Sequence, residues 1–390
     1  MRSHFDLPTD HDLTVTHFSE GAFNQLYAVA ISDSGGNPCF PECVFRVTLP
    51  VEPFYKTASE VATLSYLRKN TTIPVPLVIA HSSTADNELG CEWILMEKVT
   101  GLSLKDVWNE IDLETKTRET ERIAGLVRQL RDLRGRFTAI GNIYFREDIN
   151  SFNGEVRSLP ITDGEEYALG PIVTPYMFVG GRKLRASRDL GPYSDDDKYI
   201  AALITSELED MELLQSPDAR SYSDFDEDLA EDAEEITKLL NELQKVSSNL
   251  FSSLPRTFSL LHHDLSLDNI IVHPETHEIV GIVDWECVGT RPHWEAPYPL
   301  FLDGPNIEEE VEPLSPGDTD DFRVERWENW EKMKLRLVFD RELGQVRDLD
   351  DGEDEARREF RNQLDWVKIS QRMVREWAER YNQRQSSESA

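Results

Sequence analysis

The stretch of this sequence best equipped for chemistry runs Ser259-Leu260-Leu261-His262-His263-Asp264-Leu265-Ser266-Leu267-Asp268-Asn269-Ile270-Ile271-Val272. An apolar run delivers a His-Asp pair into a short polar loop, and another apolar run leaves it. A further run, Glu278-Ile279-Val280-Gly281-Ile282-Val283, ends at Asp284. Asp264 and Asn269 share one loop, and Asp284 returns beside them if the two later runs pair as a hairpin. Two carboxylates and an amide so arranged suit phosphoryl transfer, which depends on positioned, neutralised phosphates more than on a covalent protein partner. Mg²⁺ takes oxygen ligands, usually only one or two of them protein carboxylates, with phosphate and water completing the shell. Asp284 and the side-chain carbonyl of Asn269 meet that need. Asp264 is then free to orient an attacking hydroxyl or accept its proton.

The elements that must position these groups can be read upstream and downstream. The first hundred residues are β-rich: Leu26–Ile31 and Cys43–Leu49 predict strands, separated by the turn chemistry of Ser32-Asp33-Ser34-Gly35-Gly36-Asn37. A helix is expected to start near Thr57, where Thr57-x-x-Glu60 has capping-box form, and to carry Val61, Leu64 and Leu67 on one face. Glu92–Met96 predicts a further strand. Beyond Gly101 the periodicity turns helical. Ile123, Leu126, Val127, Leu130 and Leu133 make one stripe that Gly135 is placed to end. Residues 199–214 and 230–251 predict helices, and Trp366, Ile369, Met373 and Trp377 suggest one closing amphipathic helix over 366–381. Residues 224–235 and 303–321 each hold eight carboxylates and no Lys or Arg, and read as acidic surface insertions or loops. The polar end, Gln383 to Ala390, reads as a frayed tail.

His262-His263-Asp264, the spacing His-x-Asp-x-x-x-x-Asn and the triplet Asp284-Trp285-Glu286 together resemble the aminoglycoside phosphotransferase and choline kinase superfamily, in particular its divergent fungal members. The resemblance implies an α+β, two-lobed protein kinase-like fold. Its small β-sheet N-lobe, with one main helix, would span residues 1–99, and a larger, mainly helical C-lobe residues 100–390. It implies that Asp264, Asn269 and Asp284 are catalytic, with Asn269 and Asp284 holding Mg²⁺. ATP would lie with its phosphates between the turn at Gly21 and Arg46, and its adenine beside Glu97 and Val99. Arg46 stands where such enzymes usually carry a strand-three lysine, with Glu60 as its helix partner. The exchange is not neutral, because a guanidinium is wider and binds as a planar fork. Lys56 is an alternative phosphate ligand. His262 is assigned a bracing role in the loop.

Other chemistries find less support. A His/His-Asp/Asp phosphohydrolase set would place its ligands on helices, whereas strand-like runs flank this motif. No G-x-x-x-x-G-K-[ST], G-x-G-x-x-G or G-x-S-x-G is present. Cys39 and Cys43 have no second Cys or His pair to complete a zinc site. A net charge of −33 over 390 residues argues against nucleic acid as a partner and mildly favours an amine-bearing hydroxyl acceptor. Met1-Arg2-Ser3-His4-Phe5-Asp6 carries no apolar leader, and no run is long enough for a membrane helix, so a cytoplasmic protein without a membrane partner is expected. The sequence names no protein partner. The expected activity is transfer of the ATP γ-phosphate to a small-molecule hydroxyl. The rival is a nucleotide-binding pseudokinase impaired at Arg46 and acting through a protein partner.

Overall fold

The computed structural model describes residue 8 and residues 11–151, 156–162, 164–178, 189–217, 219–221, 225–251, 257–295, 298–305, 307, 310–312, 314, 320–347 and 352–388. The chain opens with strands β1 (Asp12–Glu20), β2 (Asn24–Ser32) and β3 (Cys43–Thr48), then helix α1 (Tyr55–Asn70), then β4 (Val78–Ser82) and β5 (Glu92–Glu97). These strands form one antiparallel sheet in the order β1-β2-β3-β5-β4. The Asp33 carboxylate holds the turn after β2 by accepting from the Gly35 and Asn37 N–H groups at 2.8 Å each. Alternation along the strands sorts the side chains. Val29, Cys43, Phe45 and Leu95 pack on one face, while Val44, Ile94 and Met96 meet Val61 of α1 on the other.

The capping box expected at Thr57 and Glu60 does not form. The helix begins at Tyr55, after Phe54, whose main chain takes a φ of 67°. Thr57 and Glu60 lie inside the helix, both buried, because Glu60 turns inward to pair with Arg46. The orphan N–H of Phe54 is taken instead by Glu92 Oε1 at 2.7 Å. Helix α1 is buried from Lys56 through Leu64, and again at Tyr66 and Leu67, because it is covered on both sides. Its second half joins the large core built by the helical part of the chain.

That part continues with β6 (Leu102–Ser103), α2 (Leu104–Trp108), α3 (Leu113–Asp132), β7 (Asn142–Phe145), α4 (Arg146–Ser151), β8 (Leu159–Pro160), β9 (Tyr167–Gly170), α5 (Pro175–Phe178), α6 (Asp196–Leu214) and α7 (Glu227–Leu250). It closes with β10 (Phe258–Leu261), β11 (Ile270–Val272), β12 (Ile279–Ile282), β13 (Gly289–Pro292), α8 (Asp321–Arg347), α9 (Gly352–Trp366) and α10 (Gln371–Glu388). Helix α3 packs on α8, α6 on α7, and α7 on α9 and α10. Gly135, at φ +86°, follows the end of α3 as expected.

Three expectations change here. Residues 227–235 are not a loop but the first turns of α7. Asp226 caps the helix by accepting from the Leu229 N–H at 3.0 Å, and carboxylates are favoured there by the helix dipole. Asp224 lies outside the described residues, as do 306, 308, 309, 313 and 315–319 of the second acidic run; the rest of that run is irregular up to Asp321. The closing amphipathic helix is two helices that break between Trp366 and Gln371. Trp366, Ile369 and Met373 are 44, 69 and 50% exposed, whereas Phe360, Leu364, Val374 and Trp377 enter the core. The tail is helical to Glu388, and Ser389 and Ala390 lie outside the described residues.

Candidate active site

Strand β10 carries the chain into the loop of Asp264, and β11 carries it out. β11 and β12 pair antiparallel, Ile270 opposite Ile282, so the hairpin returns Val283 and Asp284 to the base of that loop. The Val283 N–H donates to the Asn269 carbonyl at 2.9 Å, and His262 Nε2 meets the Val283 carbonyl at 3.2 Å. Asn269 Nδ2 donates to the main-chain carbonyl of Asp264 at 2.8 Å and to its Oδ2 at 3.0 Å. The amide that fixes Asp264 therefore turns its own carbonyl oxygen elsewhere. Trp285 is buried edge-on against the His262 ring at 4.7 Å and donates to the Ile282 carbonyl at 2.8 Å. Asp284 and Cys287 adopt positive φ, 62° and 58°, a conformation that β-carbon-bearing residues hold only under tertiary constraint.

His262 is buried, with its Nδ1 sealed and unpartnered. Burial drives its pKa down to about 4, against the pull of the Val283 carbonyl, so at neutral pH it is uncharged and braces the Val283 backbone. His263 has an exposed ring. Partial removal from water, followed by the Arg291 charge, holds its pKa below the ordinary value.

Above the loop, charges from the sheet and from α1 converge on the Asp284-Trp285-Glu286 turn. Arg46 pairs with Glu60 and lies 4.0 Å from Glu286 Oε2. Lys56, fully buried, reaches the same oxygen at 2.5 Å and Asn24 Oδ1 at 3.0 Å, and Asn24 Nδ2 donates to Glu286 at 2.6 Å. Burial opposes the Arg46 charge, yet Glu60 and then Glu286 and Asp284 raise its pKa. Burial likewise opposes the Glu286 charge, but Lys56 and Arg46 outweigh it and hold that pKa low. Asp284 goes the other way: burial, then Glu286 and Glu60, push it up to about 7 against Arg46 and Lys56. Two cations thus face three carboxylates, and Asp284 is the one whose charge is disfavoured.

The Arg46–Glu60 contact matches the pairing read from the sequence. Asn24 carries no signal in the sequence and Glu286 only its place in the triplet; the folded chain shows that they share Lys56. Gly21 opens the turn between β1 and β2, and its N–H donates to the Asn24 carbonyl at 2.9 Å. At the end of β5 and just beyond it, the Glu97 and Lys98 N–H groups donate to the Leu77 and Glu42 carbonyls, while the Val99 N–H has no partner among the described residues. Val99 packs so closely on Gly281 that a β-carbon there would sit 2.5 Å from it, which ties this segment to the hairpin.

The profile of the phosphotransferase enzyme family, which includes the aminoglycoside phosphotransferases, matches residues 14–295. The chain belongs to this family. Its small antiparallel sheet with one main helix over a larger helical part is the two-lobed, protein kinase-like fold. A subtelomeric hrmA-associated cluster protein of Aspergillus fumigatus is 27% identical over 367 residues, 85% of this chain and 68% of that one. Altered inheritance of mitochondria protein 9, mitochondrial, of Clavispora lusitaniae is 26% identical over 351 residues, 82% of this chain and 56% of that one. The chain thus spans between about half and two thirds of these relatives' lengths. Among solved structures, a putative aminoglycoside phosphotransferase from Ralstonia eutropha aligns over 93% of this chain and 84% of its own, at 14% identity and a TM-score of 0.44. The mitochondrial relatives run against the cytoplasmic placement expected from the sequence, which is withdrawn. No helix among the described residues is long and apolar enough to cross a membrane.

Proposed function

We propose that this phosphotransferase moves the γ-phosphate of ATP to a hydroxyl of a small molecule, with residues 1–99 binding nucleotide and residues 100–390 supplying the catalytic loop and the acceptor site. The observation that carries this reading is the Asn269–Asp264 side-chain bond placed at the foot of the hairpin that returns Asp284, beneath the Arg46, Lys56, Glu60 and Glu286 charges. Arg46, or Lys56 in its place, is the expected phosphate contact beside the Gly21 turn, although here Arg46 is paired with Glu60 and Lys56 with Glu286. Glu97 and the unpartnered N–H of Val99 are the expected adenine contacts.

The residues present fit Mg²⁺. Asp284 is buried beside Glu286 and Glu60, an environment that a cation would relieve, and Asn269 keeps a carbonyl oxygen free of the bonds its amide nitrogen makes. No group of three or more His, Cys, Asp or Glu that could hold a metal stands among the described residues. Bound there, Mg²⁺ would neutralise phosphate charge. Asp264 orients the acceptor hydroxyl and accepts its proton as the oxygen bonds to the γ-phosphorus. The bond from that phosphorus to the β–γ bridging oxygen breaks, and ADP leaves with the electron pair.

Replacing Asp264 with Ala should lower transfer by about 10²–10⁴-fold while leaving nucleotide affinity nearly unchanged, measured by coupled ADP release and by nucleotide titration. Most of the turnover surviving in that variant would sink the mechanism. Mg²⁺-dependent ATP binding with no transfer to any amino alcohol, aminosugar or sugar would instead favour the pseudokinase alternative.

A further inference from the structure

Asn24 has no role in the mechanism above, yet its side chain joins the two turns that the mechanism needs. It opens β2 directly after the Gly21 turn and is 6% exposed. Its Nδ2 donates to Glu286 Oε2 at 2.6 Å, and its Oδ1 accepts from Lys56 Nζ at 3.0 Å. Lys56 Nζ closes the ring by meeting the same Glu286 oxygen at 2.5 Å. A carboxamide offers a donor and an acceptor from one short planar group, whereas a carboxylate of the same shape only accepts. Lys56 and Glu286 would attract one another in several arrangements, and the amide between them selects one.

The main chain of Asn24 acts on the other turn. Its carbonyl accepts from the Gly21 N–H at 2.9 Å and so closes the connection between β1 and β2. Phe23, within that connection, packs on the cluster of Val173, Phe178 and Cys287, its ring 5.2 Å from that of Phe178. Two consecutive residues, Phe23 and Asn24, are thus fastened to the segment of Glu286 and Cys287, one by packing and one by a hydrogen bond. On either side of Glu286 stand Asp284 and Cys287, both at positive φ. Such backbone persists only where the surrounding structure over-determines it. The bond from Asn24 to Glu286 is one of those constraints, and it acts two residues from Asp284.

We infer that Asn24 is a positioning residue of the nucleotide site. Through Glu286 it sets the Asp284 turn, and through its carbonyl it sets the Gly21 turn, so that phosphate and metal contacts come into register. Asn24 itself touches neither nucleotide nor metal, so its burial is no obstacle. The inference rests on the phosphotransferase reading, which gives the two turns their ligands.

The test is calorimetric titration of the full chain with adenosine and, separately, with Mg²⁺ and the non-hydrolysable analogue AMP-PNP. The ratio of the two affinities isolates what phosphates and metal add, because adenosine reaches only the expected adenine contacts at Glu97 and Val99. Asn24→Leu and Asn24→Asp should each lower that ratio about 10- to 100-fold, the scale of one hydrogen bond to a charged group, with adenosine affinity unchanged. Asn24→Asp keeps the shape but sets a second carboxylate against Glu286. Adding Glu286→Gln to it should restore most of the ratio, because donor and acceptor are then exchanged between the two positions and Lys56 keeps a carboxylate partner. A wild-type ratio in both single variants, or an equal loss of adenosine and AMP-PNP affinity, would overturn the inference. So would a double variant that recovers nothing. If the single variants do not fold, the double variant decides, since it must carry the wild-type ratio. A wild-type chain that binds AMP-PNP no tighter than adenosine would sink the nucleotide reading itself, and this inference with it; a wild-type chain with a large ratio that the variants leave intact would sink this inference alone.

Discussion

Glu286 is the residue on which the two halves of the site depend. It follows Asp284 by two positions, and its carboxylate is held by a sheet residue, Asn24, and a helix residue, Lys56. With a guanidinium on β3 committed to Glu60, the ammonium of Lys56 approaches from the first turn of α1 instead. Removing it would strand the buried Glu286 charge. Lys56→Met should therefore cost roughly 3–5 kcal/mol of stability, and adding Glu286→Gln should recover much of it, as read from urea unfolding. Equal stability of Lys56→Met and wild type would show that the pair contributes nothing. His262 makes a second residue-scale prediction. Its folded pKa is depressed, so the unfolded chain binds the extra proton: stability is full above about pH 6.5 and is lost as pH falls toward about 4. The loss attributable to it is roughly 3 kcal/mol. Asp284 titrates with the opposite sign, being raised, but is common to both proteins when wild type is compared with His262→Asn. The difference between their unfolding curves should shrink across that window, and a flat difference would argue that His262 is not held neutral.

At the scale of elements, the lesson lies in α1 and in the hairpin of β11 and β12. The positions of β2, β3 and β5 were legible because alternation and turn residues are local, and Asp33 and Gly36 define their turn wherever the chain goes, whereas β1 and β4 were not read. The start of α1 was misread because Thr57 and Glu60 have the local form of a cap, whereas burial against Arg46 wins over capping. The same contest decided the acidic run at 227–235. Like charges repel in a loop, but at a helix N-terminus they meet the dipole and a cap, and α7 forms through them. The end of the chain failed for a third reason. Trp366 and Trp377 have helical spacing, yet the break at 367–370 turns Trp366 outward and lets Val367 and Val374 fill the core instead.

For the whole molecule, the large core takes in Ala62, Leu64, Tyr66 and Leu67 of α1 together with residues from α3, α6, α7, α9 and α10. The main helix of the small lobe is therefore part of the large lobe's interior, and Glu286 links them again through polar contacts. The two lobes should unfold in one transition: far-ultraviolet dichroism and tryptophan fluorescence are expected to give coincident urea curves. Separate midpoints would mean that the sheet, which carries Trp93, melts independently of the helices. What the sequence determined by itself was local and chemical: the residues of the Asp264 loop, the strand pair that returns Asp284, the family and the nucleotide-side pairing of Arg46 with Glu60. What only the tertiary structure decided was which distant charges meet. Asn24 and Lys56 at Glu286 depend on packing of segments more than two hundred residues apart, which leaves no spacing to be read along the chain.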